Sequence, residues 1–127
     1  MKRLFLALIL LVISSVASAA TIEATLDWAG TDTSGAVEAS MPCTITIHNA
    51  SDDAVLSTAS VSGPVTGYAM PSWNVPNQNN AATVLTIYAK AVDSAGNESA
   101  HSDTVSVTIP GVDTLGPCTP VIKITVK

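Results

Sequence analysis

Two cysteines, two histidines and ten acidic residues are the side chains through which this 127-residue chain could do chemistry. A zinc site needs about three or four converging His, Cys or carboxylate ligands. His48 and His101 have no second His or Cys at ligand spacing and read as loop residues. Asp32, Asp52, Asp53, Asp93, Asp103 and Asp113 lie in or beside turn-like stretches. There Asp is favoured because its carboxylate bonds the backbone two residues on. Calcium asks for roughly six to eight oxygens at one place, and the chain has no D-x-D-x-D-G string. It also has no G-x-S-x-G nucleophile elbow and no phosphate-cradling glycine loop. Paired carboxylates for glycoside hydrolysis need a cleft between them, which a domain this small is not expected to offer. The expectation is therefore no catalytic residue, no metal site, no cofactor and no enzyme activity.

Binding chemistry remains. Trp73, with Tyr68 nearby, and Tyr88 are the aromatic candidates for contact with a sugar or a protein. Tyr88 has the parity of an outward-facing residue and is expected to be the more exposed. Core filling is the competing role for Trp73. Asn49-Ala50-Ser51 and Asn97-Glu98-Ser99 fit the glycosylation pattern, which matters only in a eukaryotic secretory pathway.

The elements that must position these residues begin with a leader. Lys2 and Arg3 precede an unbroken apolar run at residues 4–13, LFLALILLVI, and Ala17-Ser18-Ala19 supplies small residues for cleavage. That is the pattern of a secretory signal peptide over residues 1–19. A membrane span needs roughly 18 or more apolar residues, and Ser14-Ser15 interrupts the run sooner. Export to a periplasm, the medium or a cell surface is expected, with no membrane insertion after cleavage. The remaining 108 residues suit one domain. They keep Lys90, Lys123 and Lys127 against ten acidic residues, a net charge of −7. Such a surface cannot neutralise phosphates, which argues against nucleic acid as a partner. An unknown protein or glycan remains.

The processed chain shows no 3.6-residue apolar period. Short alternating runs are separated by Gly, Pro, Asn and Asp clusters, which reads as an all-β antiparallel sandwich. Ile22, Ala24, Leu26 and Trp28 alternate inward, as do Cys43, Ile45 and Ile47. Residues 55–61 are Ser-rich and read as an edge strand. Residues 66–75 are extended but interrupted by Pro71, which cannot donate to a ladder. Residues 84–92 and 104–109 are the strongest strands, with a turn at 93–97 between them.

Leu26 and Trp28, together with Ala91, Asp93, Gly96, Asn97 and Ser99 in A-x-D-x-x-G-N-x-S, resemble a fibronectin type III domain over residues 24–109. The resemblance implies an immunoglobulin-like sandwich in which the first pair packs from strand B. The later motif would be strand F with its turn into strand G. Leu85 stands where the family usually places a tyrosine that bonds back across a corner. No Arg-Gly-Asp occurs in the turn at 94–99.

The family also opens with a strand A, and here strand B starts almost at the cleavage site. Pro117-Cys118-Thr119-Pro120 followed by residues 121–126, VIKITV, looks like the missing lead and strand, displaced to residues 110–127. Three arrangements follow. The segment folds back on its own domain as a replacement for strand A, enters a neighbouring molecule, or hangs free. Fold-back within a monomer is the arrangement expected ahead of a polymer. In the family's topology it would bring Cys118 to the end where Cys43 begins strand C, predicting a Cys43–Cys118 disulfide in an oxidising compartment. The expected function is a non-enzymatic exported binding or adhesion module. A structural subunit assembling by exchange of the 121–126 strand is the alternative.

Overall fold

The computed structural model describes residues 10–15, by their backbone, and residues 19–126. The charged start of the expected leader and its cleavage residues Ala17 and Ser18 lie outside the described residues. Eight strands follow in order: β1 (Leu10–Ser15), β2 (Ala19–Trp28), β3 (Cys43–Asn49), β4 (Val55–Val61), β5 (Val65–Ala69), β6 (Trp73–Pro76), β7 (Thr83–Val92) and β8 (Val105–Ile109). All pairings between these strands are antiparallel. No helix among the described residues is long and apolar enough to cross a membrane.

The strands form a two-sheet sandwich. One sheet is centred on β2, with β1 along one edge and β5 then β6 along the other. The second runs β4-β3-β7-β8. Alternation explains the packing, because side chains two apart share a face. Ala20, Ile22, Ala24, Leu26 and Trp28 of β2 are buried. So are Cys43, Ile45 and Ile47 of β3 and Leu85, Ile87, Ala89 and Ala91 of β7, all within one core cluster. Pro71 falls in the break between β5 and β6, as a residue without an N–H must. β4 is an edge strand, tied to the other sheet where Ser57 Oγ donates to the Pro71 carbonyl at 2.7 Å.

Two expectations about strand A are corrected. The slot beside β2 is occupied by β1, which pairs from Leu10↔Thr25 to Ser15↔Ala20. Residues 121–126 form no strand, and Val121, Ile122, Ile124 and Val126 are each more than four-fifths exposed. The physical reason is proximity. β1 sits three residues from β2 in sequence, so its loop closes at little entropic cost. The distant segment loses that competition while the N-terminal residues are attached.

Residues 110–114 are also held away from the slot. Val112 lies against the loop after β6, donating to the Gln78 carbonyl at 3.2 Å and accepting from Asn80 N–H at 3.1 Å. Thr114 N–H donates to Asn79 Oδ1 at 3.1 Å, and Asn77 Nδ2 donates to the Pro110 carbonyl at 3.3 Å. Gly111 is needed at this junction, since a Cβ there would stand 2.3 Å from the Ala81 nitrogen.

This attachment accounts for the two free cysteines found in place of the expected disulfide. Cys43 lies one residue beyond the Thr44↔Val92 pair, at the far end of β7 from Thr83 and Ile109. Ten strand residues separate the two levels, about 33 Å. Cys118 is four residues past the Thr114 bond and reaches about 14 Å.

Truncating Leu26 to Ala leaves a cavity in a fully buried position, and about 2–5 kcal/mol of stability is expected to be lost in urea unfolding. Val84→Ala, at a position 65% exposed, is expected to change stability by less than about 0.5 kcal/mol in the same assay.

Candidate functional site

The end of the sandwich that carries Trp28, Cys43, Val61, Val65 and Val92 holds two hydrogen-bonded turns. Two turns there are built alike from D-x-x-G. In the first, Asp32 Oδ1 accepts from Ser34 N–H at 2.8 Å, Ser34 Oγ at 2.6 Å and Ala36 N–H at 3.2 Å. In the second, Asp93 Oδ1 accepts from Ala95 N–H at 2.9 Å and Asn97 N–H at 2.8 Å, while Asn97 Nδ2 donates to Oδ2 at 3.0 Å. Gly35 and Gly96 occupy the matching left-handed positions, with φ of 89° and 91°. The two loops are joined directly, Ser94 N–H donating to the Ser40 carbonyl at 2.9 Å.

These bonds hold both carboxyls below the usual Asp range. For Asp32 the Ser34 hydroxyl is the main cause, and for Asp93 the Asn97 side-chain amide is. Each turn is therefore stabilised above the unfolded Asp pKa of 3.8, and that contribution is lost as pH falls through the lower folded value.

The A-x-D-x-x-G-N-x-S motif now has a physical content. Asp93, Gly96 and Asn97 make the turn, and Ser99 extends the ladder. Ser99 Oγ accepts from Ala91 N–H at 2.9 Å, and Ser99 N–H donates to the Ala91 carbonyl at 2.8 Å. Ser102, which the sequence reading missed, does the same one pair further on, its Oγ accepting from Ala89 N–H at 2.9 Å. Parity along β7 could have flagged that need, because Ala89 and Ala91 present their amides where β8 has not yet begun.

Beside the turns, Val37 is 78% exposed where it pairs with Thr31 at the base of the Asp32 loop. A shallow open depression of about 250 Å³ lies at the same end, lined by Asp27, Trp28, Ala29, Val65 and Thr66. Small-molecule pockets usually start near 300 Å³ and are enclosed. The geometry suits a broad contact better than an engulfed ligand.

The aromatic candidates lie elsewhere. Trp73 is half-buried against the core, with Nε1 buried and unpartnered among the described residues. Tyr88 does face outward on β7, but it is only 6% exposed, which corrects the expectation of an open aromatic face. His48 stacks on it with ring centroids 5.1 Å apart and planes 7° from parallel. His101 covers it from the other side at 4.8 Å, and Lys90 Nζ lies 5.9 Å from the ring centre. Its hydroxyl donates to Asp53 Oδ1.

The histidines are oriented by their partners. His48 Nδ1 meets the Asp53 carbonyl at 3.0 Å and must donate to it, and Nε2 lies 2.7 Å from Thr46 Oγ1. His101 Nδ1 likewise meets the Ser102 carbonyl at 2.7 Å. Among the described residues no group of three or more His, Cys, Asp or Glu could hold a metal ion.

Cys43 is buried, and burial pushes its thiol pKa up, with the charges of Glu38 and Asp93 adding to the shift. Cys118 is exposed. Comparison with family models, with curated proteins and with solved structures found no match.

Two measurements check this geometry. In native protein a thiol reagent at neutral pH is expected to modify Cys118 at once and Cys43 only after denaturant is added. The Asp53 bond raises the Tyr88 pKa above its ordinary 10.0. The bond therefore adds stability below pH 10.0 and loses it as pH rises through the higher folded value. An alkaline absorbance titration is expected to show a delayed phenolate step that Tyr88→Phe removes.

Proposed function

We propose that the chain is an exported, non-enzymatic binding module of the fibronectin type III kind, and that it contacts a protein or glycan through the loops at the Asp32 and Asp93 end. The observation that carries this reading is the matched pair of D-x-x-G turns cross-linked by Ser94 and Ser40. Recognition residues concentrate on loops that a rigid scaffold positions. Two such loops, fixed by their own carboxylates and by each other, lose little entropy on binding.

The fold subtype is supported by strand order. A sheet of β1, β2 and β5/β6 over a sheet of β4, β3, β7 and β8 corresponds to A-B-E over C′-C-F-G. Leu26 and Trp28 lie buried on the strand equivalent to B, and the D-x-x-G-N-x-S motif forms the F–G turn. Leu85 packs in the core where the family places its corner tyrosine. Export is supported by the leader pattern at residues 1–19.

The exported protein on a glycan array and against extracellular protein libraries is the direct test. Val37→Asp and Ala95→Arg alter an exposed residue beside the first turn and one within the second while keeping the Asp–Gly frames. Each is expected to weaken binding at least about tenfold at an unchanged melting temperature. Trp73→Ala and Tyr88→Ala serve as the comparison for the aromatic sites. Binding that survives both loop variants but falls with an aromatic variant would move the contact to the sheet face.

A further inference from the structure

The slot beside β2 is filled by β1, and β1 consists of residues that the leader pattern marks for removal. On the processed protein, beginning near Ala20, that slot is vacant. The edge of β2 then presents unpaired backbone groups next to Ala20, Ile22 and Ala24, which are among the most deeply buried residues of the core. An open apolar edge of this kind is a template for another strand.

We infer that residues 121–126 of a second copy of this chain fill the vacated slot, linking processed molecules head to tail. This rests on the export reading. Three observations carry it.

The first is fit. β1 and the 121–126 segment are both six residues long. Placing Val121 in the position of Leu10 sets Ile122 opposite Ala24, Ile124 opposite Ile22 and Val126 opposite Ala20, by the β1–β2 register. All three apolar side chains then share the core face with their partners. The same register sets Lys123 opposite Glu23 and Thr125 opposite Thr21 on the outer face. An opposite-charge pair and a threonine pair are among the combinations that favour antiparallel pairing.

The second is availability. Val121, Ile122, Ile124 and Val126 are 83–89% exposed and belong to no strand. A six-residue alternating segment with that exposure is a strand without a sheet.

The third is reach, which decides between the same molecule and a second copy. Thr114 is bonded to Asn79 at the end of the sandwich where Ala19 and Pro76 pair. To run antiparallel to β2, Val121 must start level with Thr25, about 17 Å further along and two strand spacings, about 10 Å, across. The straight-line separation is about 20 Å. Seven residues from Thr114 to Val121 span about 22 Å in the extended form that Pro117 and Pro120 favour. The chain would arrive nearly taut and moving the wrong way. Reversal takes a turn of about four residues, which the linker does not have. A neighbouring molecule can approach at any height and removes the problem.

The contact joins two different surfaces, so it is heterologous. Such contacts propagate into rings or open filaments rather than closing as a two-fold dimer.

The test uses the full-length gene exported from a host, with the N-terminus of the product read by mass spectrometry. Light scattering after size exclusion, over a hundredfold concentration range, reads the assembly. The wild type is expected to begin near residue 20 and to run as a ladder of multimers. Ile124→Asp is expected to reduce it to monomer, and Ile124→Val to keep the ladder. A charge reversal gives a check that does not disturb the core face. Lys123→Glu is expected to shift the ladder at least about threefold toward monomer, and adding Glu23→Lys to the same chain is expected to restore it. A processed wild type that stays monomeric overturns the inference, whether its 121–126 amides are protected by self-insertion or exchange freely. A product that keeps residues 10–15 overturns the export reading on which the inference stands, and is told apart by its mass.

Discussion

β2 is the strand on which the rest of the molecule depends, because it has work on both edges and one face at once. Its inward residues Ala20, Ile22, Ala24, Leu26 and Trp28 run the length of the core. Its backbone is paired by β1 along one side and by β5 and β6 along the other. Burying that apolar stripe is favourable only if the amides and carbonyls beside it are bonded, since an unmet buried group costs about as much as the burial of a methylene or two returns. The second sheet supplies the opposing face.

Where strands run out, polar side chains continue the ladder. β8 begins at Val105, so the upper part of β7 lacks a neighbouring strand on the side away from β3. Ser99 and Ser102 meet the Ala91 and Ala89 amides with their hydroxyls, and their own N–H groups donate back to the same residues. Asp93 does the equivalent for its turn. A chain with so few charged and aromatic residues, 12% and 4% of its length, secures its loops with short side chains that bond locally. The same economy makes the loops stiff and leaves their tips free for contact.

The parity of the strands was readable in the residues themselves. Ile22 to Trp28, Cys43 to Ile47 and Leu85 to Ala91 each alternate cleanly, and each faces the core as the alternation implies. Pro71 marked its break, and Asp93 and Gly96 marked their turn. What alternation cannot encode is competition between segments. Residues 10–15 and 121–126 both suit the edge of β2, and chain proximity, a property of connectivity, decides which one occupies it. Tyr88 shows a second limit. Its outward direction follows from parity, but its exposure is set by His48 on the neighbouring strand and His101 beyond the turn. Those rings approach from 40 and 13 positions away, and no local pattern carries that information. The expected Cys43–Cys118 pair is not formed either, and the bonds of Val112 and Thr114 to the loop after β6, more than 30 residues before them in sequence, are what hold Cys118 away from Cys43.

The bond from Ser57 to the Pro71 carbonyl ties the β4 edge to the β5–β6 break, sealing one flank of the sandwich. The opposite flank carries the outer edges of β1 and β8. An exposed strand edge is where a further strand can pair, so the two flanks differ in what they offer a strand from solution.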